Sequence, residues 1–183
     1  MIELPSVWVM TTSPADSDDP TKARISDLAT LIASGLGSGL SPVAPGTAGS
    51  VAAVAVLAFV LDMPVAWHWC AWVGLLGVAV WSAGQAGEAW GVIDHPAIVI
   101  DEVAGVWLAL LIPLSIFPFE ISSALLLVGS FLLFRLFDIV KPWPVDAAER
   151  GFPGAWGVVL DDVVAGLLAG GCMTLILIGI TAG

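Results

Sequence analysis

Long apolar runs alternate along this chain with short polar segments, a pattern that predicts helices crossing a membrane. The hydrocarbon core of a bilayer is about 30 Å thick, and a helix needs about 20 apolar residues to cross it. Five runs approach or reach that length, and the first is the shortest. They cover approximately residues 49–61, 65–83, 98–116, 121–137 and 163–180. We therefore expect an all-α fold, a polytopic membrane helical bundle with four to five transmembrane helices.

The segments before and between these runs differ in character. Residues 1–24 are polar and acidic, with several Pro, Ser and Thr, and we predict a disordered tail there. Residues 25–35 show a short amphipathic pattern that suits a helix at the membrane interface. Residues 35–50 hold so much Gly and Pro that we expect an irregular loop. Residues 25–183 together are short enough for a single membrane-embedded domain.

Composition supports a membrane protein and excludes one class of partner. The chain is 58% hydrophobic and 11% charged, with a mean hydropathy of +1.00. A soluble domain has about 25% charged residues. The formal net charge is -11, and only five residues of 183 are Lys or Arg. A surface that attracts nucleic acid through its phosphates is therefore not expected.

The basic residues all fall on one side of the predicted spans. Lys22 and Arg24 precede the first span, whereas Arg135, Lys141 and Arg150 lie between the end of the fourth span and the fifth. Basic residues mark the cytoplasmic side of membrane proteins. We therefore expect the N-terminus in the cytoplasm and the C-terminus outside. Most of the acids fall on the same side, which predicts a cytoplasm-facing polar site.

Two pairs of adjacent acids open predicted spans, where apolar residues are expected. Asp101 and Glu102 begin the third span, and Asp161 and Asp162 precede the fifth. Charged groups in a membrane are costly and usually functional. Helix capping is the alternative interpretation, but it explains one acid per helix rather than two.

Two further acids extend this set. Asp94 lies just ahead of the third span, and Asp138 lies at the end of the fourth. Such a cluster of like charges is unfavourable unless a cation neutralises it. Carboxylate oxygens without a His or Cys cluster favour Mg²⁺. The sequence therefore predicts a magnesium site at one end of the bundle.

Other residues near these acids are candidates for binding an anionic substrate. Backbone N–H groups at residues 46–50 could hold a phosphate, with hydroxyl groups from Ser41, Thr47 and Ser50 nearby. A structural turn is the alternative. Arg135 and Lys141 could bind anionic oxygens, or they could serve as interfacial anchors that set the topology.

Three sequence blocks together resemble the phosphatidylglycerophosphatase A family of bacterial membrane lipid phosphatases. They read GLGSGLSPVAPGTAGS from residue 35, DHPAIVIDEVAG from residue 94 and FRLFDIVKPWPVDAAERGFPGAWGVVLDDVVAG from residue 134. The resemblance implies Mg²⁺-dependent hydrolysis of phosphatidylglycerophosphate to phosphatidylglycerol and phosphate, in the bacterial inner membrane. The residues that match the family motifs, and so would be catalytic, are Asp94, Asp101, Glu102, Asp138, Lys141, Asp161 and Asp162.

The acidic cluster and the family resemblance lead to the same hypothesis for the mechanism. Mg²⁺ would be held by four carboxylates, and Lys141 and Arg135 would stabilise the phosphate charge. The four are Asp101, Glu102, Asp161 and Asp162. Either Asp94 or Asp138 would act as the base. The phospholipid substrate would keep its acyl chains in the cytoplasmic leaflet.

Two alternatives remain open at the level of sequence. A small membrane cation transporter could also use intramembrane acids, but it would place them near the bilayer midplane. A CDP-alcohol phosphotransferase is another small Mg²⁺-using lipid enzyme, but its D-G-x2-A-R signature is missing from this chain.

Overall fold

The computed structural model describes residues 23–117 and 122–182, and this part of the chain is helical with no β-strand. The predicted all-α class is confirmed. Most of the predicted tail, including Lys22, and the start of the fourth predicted span lie outside the described residues. The α-helices are α1 (Leu28–Ala33), α2 (Pro45–Val60), α3 (Val65–Ala89), α4 (Ile100–Ile116), α5 (Ser123–Val140), α6 (Val145–Gly151) and α7 (Ala155–Thr181). A 3₁₀ turn, Ser38–Leu40, separates α1 from α2.

Five of these helices correspond to the five predicted spans. By length and composition, α3, α5 and α7 are long and apolar enough to cross a membrane. The other two, α2 and α4, have 16 and 17 residues and are shorter than a full crossing requires. Three helices are thus candidate membrane spans, as expected for a membrane protein, and the number of complete crossings stays a prediction.

Helix α4 lies at the centre of the bundle. It packs most extensively against α7 and also contacts α2, α3 and α5. A helix that is apolar on all sides is stable only when other elements or lipid surround it. Its side chains with no more than 1% exposure are Ala104, Val106, Leu108, Ala109, Leu110 and Leu111.

Two glycines let α4 and α7 approach closely. A Cβ on Gly166 would collide with the carbonyl oxygen of Gly105, and a Cβ on Gly105 would lie 2.7 Å from the carbonyl oxygen of Asp162. Small residues permit this kind of backbone contact between membrane helices. Gly105 and Gly166 each come four residues after an acid, Asp101 and Asp162 respectively. Residues four apart share a helix face, so the crossing turns both acids toward the same space.

The two ends of the bundle differ in polarity. One end is closed by an apolar cluster in which Leu61, Val65 and Phe117 pack against buried Leu114, Leu126 and Leu177. The acidic side chains of α4 and α7 lie toward the other end, where these helices begin. The acids thus lie toward one end of these two helices rather than at their middle.

Several helices differ from the sequence prediction in their boundaries or were not predicted. Helix α2 begins at Pro45, inside the segment expected to be irregular, because proline suits the first position of a helix. Helix α7 begins at Ala155 rather than near 163, directly after Gly154 with its positive φ of 65°. Helix α6 was not predicted. The early start of α7 places Asp161 and Asp162 in its second turn, so they do not cap its N-terminus.

Candidate active site

The predicted acids converge on one cavity at the polar end of the bundle. The cavity, here called the acid pocket, has a volume of about 300 Å³ and is lined by segments from α2, the loop before α4, α4, α5 and α7. Its six carboxylates outnumber its two cations. The carboxylates belong to Asp94, Asp101, Glu102, Asp138, Asp161 and Asp162, and the cations are Arg135 and Lys141.

Asp101 and Asp162 are buried acids of the pocket that have no basic partner among the described residues. Their exposures are 7% and 4%, and their charges repel each other across the pocket. Within the described part of the chain, neither makes an ion pair with Lys or Arg. Bringing two buried carboxylates together without a counter-charge is unfavourable. The pair is therefore a candidate site for a cation.

Arg135 neutralises a second pair of acids on the α5 side of the pocket. Its Nη1 lies 2.7 Å from Asp138 Oδ2 and 3.4 Å from Glu102 Oε1. Ser50 of α2 also orients Glu102, because its Oγ donates a hydrogen bond to Glu102 Oε2 at 3.1 Å. Gly46 leaves room for this carboxylate, since a Cβ there would collide with Glu102 Oε1. Glu102 is thus held by three elements, α2, α4 and α5.

Lys141 forms the opposite wall of the pocket. Its Nζ donates to Asp161 Oδ2 at 2.8 Å and to Glu149 Oε2 at 3.0 Å. Burial alone would lower the pKa of Lys141, but the hydrogen bonds and charges of these two carboxylates outweigh it and raise the pKa above the usual lysine value. Lys141 lies just beyond the end of α5 and stays protonated at neutral pH. Its third N–H donor is left for an anionic ligand.

The N-terminus of α2 contributes backbone donors to the pocket. Ala44 to Thr47 line it, and Ala44 provides no side-chain cap. The N–H groups of Gly46 and Thr47 lie in the first turn, where helix donors have no intrahelical partner. Together with the positive end of the helix dipole, they favour an anion at this position.

The predicted substrate-binding residues occupy different places. Thr47, Arg135 and Lys141 line the acid pocket. Ser50 is fully buried beneath it and holds Glu102. Ser41 lies in a neighbouring cavity, where its hydroxyl donates to the carbonyl oxygen of Val43 at 2.9 Å.

Glu149 is a site residue that the sequence did not single out. It reaches Lys141 from α6, a seven-residue helix between the fourth and fifth predicted spans. Helix-forming residues after Pro144 and a stop at Gly151 were the available signal. The carbonyl oxygen of Glu149 also lies 2.9 Å from where a Cβ on Gly157 would stand, so α6 packs directly on the start of α7.

The donor set of the pocket fits a hard divalent cation. No group of three or more His, Cys, Asp or Glu side chains among the described residues already stands in a metal-binding arrangement. Mg²⁺, however, is commonly held by one or two carboxylates together with substrate phosphate oxygens and water. Asp101 and Asp162 supply such a pair, whereas Glu102 and Asp161 are engaged with Arg135 and Lys141.

Comparison with known proteins matches this chain to one family. A family model described as phosphatidylglycerophosphatase A matches residues 31–177. A phosphatidylglycerophosphatase A of Escherichia coli is 34% identical over 170 residues, covering 91% of this chain and 94% of the relative. One from Haemophilus influenzae is 35% identical over 142 residues, covering 76% of this chain and 82% of the relative.

A third relative has a different name. A Bacteroides thetaiotaomicron protein proposed to be a phosphatidylinositol-3-phosphatase is 42% identical over 149 residues, covering 79% of this chain and 90% of the relative. No solved structure matches the chain.

The matched region contains every segment that lines the acid pocket, from the N-terminus of α2 to the second turn of α7. It also extends over most of the chain, and the relatives are covered over most of their own lengths. The resemblance found in the sequence blocks is thereby confirmed. This chain belongs to the phosphatidylglycerophosphatase A family.

Proposed function

We propose that this protein is an Mg²⁺-dependent lipid phosphatase that hydrolyses phosphatidylglycerophosphate to phosphatidylglycerol and inorganic phosphate. The observation that carries the proposal is the acid pocket, in which two buried carboxylates without a basic partner face two cations and a helix N-terminus. A phosphate monoester and a divalent cation together complement these charges. The names of two relatives supply the substrate.

The residues of the pocket have distinct roles in this proposal. Lys141 and Arg135 donate hydrogen bonds to phosphate oxygens, and both are already oriented by their carboxylate partners. The first-turn N–H groups of α2 bind a further phosphate oxygen. Mg²⁺ bound at Asp101 and Asp162 would neutralise phosphate charge and lower the pKa of a water molecule. Water adds to phosphorus as the bond to the glycerol oxygen breaks, with that oxygen taking a proton.

Asp94 fits the role of general base better than Asp138. One oxygen of Asp138 already accepts a hydrogen bond from Arg135 at 2.7 Å. Asp94 lies at the pocket edge, on the loop before α4, and makes no ion pair with the described residues. A base must be within hydrogen-bond distance of the attacking water, and an acid at the rim can reach water that enters with the substrate.

The proposed orientation places the acid pocket at the cytoplasmic face of the inner membrane. Arg135 and Lys141 line the pocket, and Arg150 follows α5 at the same end. The carbonyl oxygen of Arg24 accepts from Trp90 Nε1 just after α3, so Arg24 also lies there. The positive-inside rule then supports a cytoplasmic site, a C-terminus outside and a substrate drawn from the cytoplasmic leaflet.

We expect phosphate release to require Mg²⁺. Purified protein in detergent should release phosphate from phosphatidylglycerophosphate when Mg²⁺ is present and fall to background in EDTA, with recovery when excess Mg²⁺ is restored. Undiminished release in EDTA would contradict the metal role. If no phospholipid monoester is hydrolysed, cation flux in proteoliposomes would test the transporter alternative.

We expect Ser50 to act through Glu102 rather than by touching substrate. Ser50→Ala removes the hydrogen bond to Glu102 and should lower kcat by about tenfold, since a bond to a charged group contributes on the order of 1.5 kcal/mol. KM should change little, and Ser50→Thr should retain most of the rate because it keeps the hydroxyl. Initial-rate kinetics provide the test. A raised KM with unchanged kcat would instead place Ser50 against the substrate.

A further inference from the structure

A second cavity adjoins the acid pocket, and the proposed phosphatase chemistry does not use it. This outer pocket has a volume of about 450 Å³ and is formed by Ala23, residues 39–42 and residues 95–97. Pro45 and Pro96 line both cavities. A ligand whose terminal phosphate lies in the acid pocket can therefore extend past these two prolines into the outer pocket.

The walls of the outer pocket are held in place by the fold. Gly39 packs so tightly against residue 97 that a Cβ would collide with the carbonyl oxygen of Ala97. The His95 ring accepts a hydrogen bond at Nδ1 from Ala97 N at 3.1 Å and lies against the Trp90 ring, with centroids 5.1 Å apart. Val99 N donates to Ala33 O at 2.9 Å, which ties this loop to α1. The cavity is thus formed before a ligand arrives.

The outer pocket combines polar groups with an apolar rim. Ser41 and His95 contribute a hydroxyl and an imidazole to its lining. Leu40, which also lines it, is 40% exposed, and Val43 beside it is 76% exposed. Leu28 is exposed on nearby α1. Exposed apolar side chains grouped around a polar cavity suit a surface that meets lipid.

Arg24 lies next in the chain to the lining of the outer pocket. It follows Ala23, which lines the cavity, and its carbonyl oxygen accepts from Trp90 Nε1 at 3.0 Å. Each of the other cations in the described part of the chain pairs with at least one carboxylate, whereas Arg24 is exposed and pairs with none there. An exposed arginine that pairs with no carboxylate is suited to bind the oxygens of a phosphodiester.

We propose that the outer pocket binds the polyol phosphodiester that joins the terminal phosphate to the acyl chains of the substrate. Ser41 and His95 contact the polyol, Arg24 contacts the diester, and the acyl chains pass over the apolar rim into the membrane. This inference rests on the proposed function and deepens it. It makes the outer pocket the determinant that favours a phosphate on an alcohol spacer over one attached directly to diacylglycerol.

The test uses glycerophosphoglycerol, the deacylated product, which has the diester and both glycerols but no monoester. It should inhibit the wild-type protein competitively. Arg24→Gln and Ser41→Leu should each raise its inhibition constant, and the KM for phosphatidylglycerophosphate, by about tenfold with kcat unchanged. Inorganic phosphate occupies only the acid pocket, so its inhibition constant should stay constant. Arg150→Gln is the matched control, because Arg150 is exposed and pairs with Asp146 away from both cavities.

Three results would overturn the proposal. They are no inhibition of the wild type by glycerophosphoglycerol, equal effects of Arg24→Gln and Arg150→Gln, and an equal rise in the inhibition constant of inorganic phosphate in Arg24→Gln. If the wild type releases no phosphate from phosphatidylglycerophosphate, the proposed function fails instead. Calorimetric titration of glycerophosphoglycerol into wild type and Arg24→Gln then still decides whether the outer pocket binds a polyol phosphodiester.

Discussion

Asp162→Asn is expected to lower the rate of phosphate release at least about 10³-fold while the protein remains folded. Asp162 is 4% exposed, lines the acid pocket and faces the other acids there. Asn keeps the shape of the side chain but removes the charge that a cation requires. Because two repelling carboxylates become one, the folded state should be no less stable than the wild type. Phosphate release and thermal unfolding in detergent measure the two effects separately.

Asp101→Asn should give a loss of similar size, because both residues serve one site. Residues that act as a unit are not additive, so the double variant should be little worse than either single variant. Asp62→Asn is the matched control, since Asp62 is an exposed acid in the turn between α2 and α3, outside the acid pocket. Losses that simply multiply in the double variant would show that the two acids work independently.

The second large effect on stability and activity is expected where α4 and α7 pack closely at Gly105 and Gly166. Gly166→Ala places a Cβ against the carbonyl oxygen of Gly105, and α4 and α7 must separate to accept it. Overpacking of this kind costs about 1–3 kcal/mol, and the strain falls one turn from Asp162 and Asp101. We expect a lower unfolding temperature together with a rate reduced by about tenfold or more, since small displacements of catalytic groups are costly.

Gly171→Ala on the same helix provides a control, because we expect it to leave stability unchanged or slightly raised rather than lowered. A Cβ on Gly171 meets no atom within 4 Å, so only the helix propensity changes. Alanine is favoured over glycine in a helix by about 1 kcal/mol, which should leave stability unchanged or slightly raised and activity intact. Circular dichroism during heating and initial rates measure both variants. A drop of equal size in both would refute the close crossing.

The close packing of α4 and α7 at Gly105 and Gly166 also places the acids of the two helices in one pocket. Asp101 and Asp162 are turned toward each other by glycines on the same faces of their helices. Arg135 and Lys141 neutralise the acids beside them, so the central pair has no basic partner among the described residues. The arrangement therefore concentrates negative charge where a divalent ion and a phosphate can share it.

The relatives of this chain bear names that specify different lipid headgroups. Relatives bear names that specify phosphatidylglycerophosphate in two cases and a phosphatidylinositol phosphate in a third. All of these substrates share a phosphate monoester and differ in the alcohol that carries it. If the acid pocket binds the phosphate and the outer pocket the alcohol, as proposed, residues of the outer pocket would account for that difference.

The sequence alone determined the class of the fold and the members of the charged cluster. Apolar runs of transmembrane length predict membrane helices because unpaired backbone groups are too costly in hydrocarbon. Acids such as Asp101 and Asp162 stand out in such runs for the same energetic reason. These are local properties of the chain, and they can be read without knowing which helices touch.

Only the tertiary structure decided how the cluster is divided into roles. Ser50 and Ser41 look alike in the sequence, yet one is buried beneath Glu102 and the other lines the outer pocket. Glu149 reaches Lys141 from α6, which no periodic pattern predicted. Such pairings depend on distances between segments that are far apart in the chain, and those distances are set by helix packing rather than by any local sequence property.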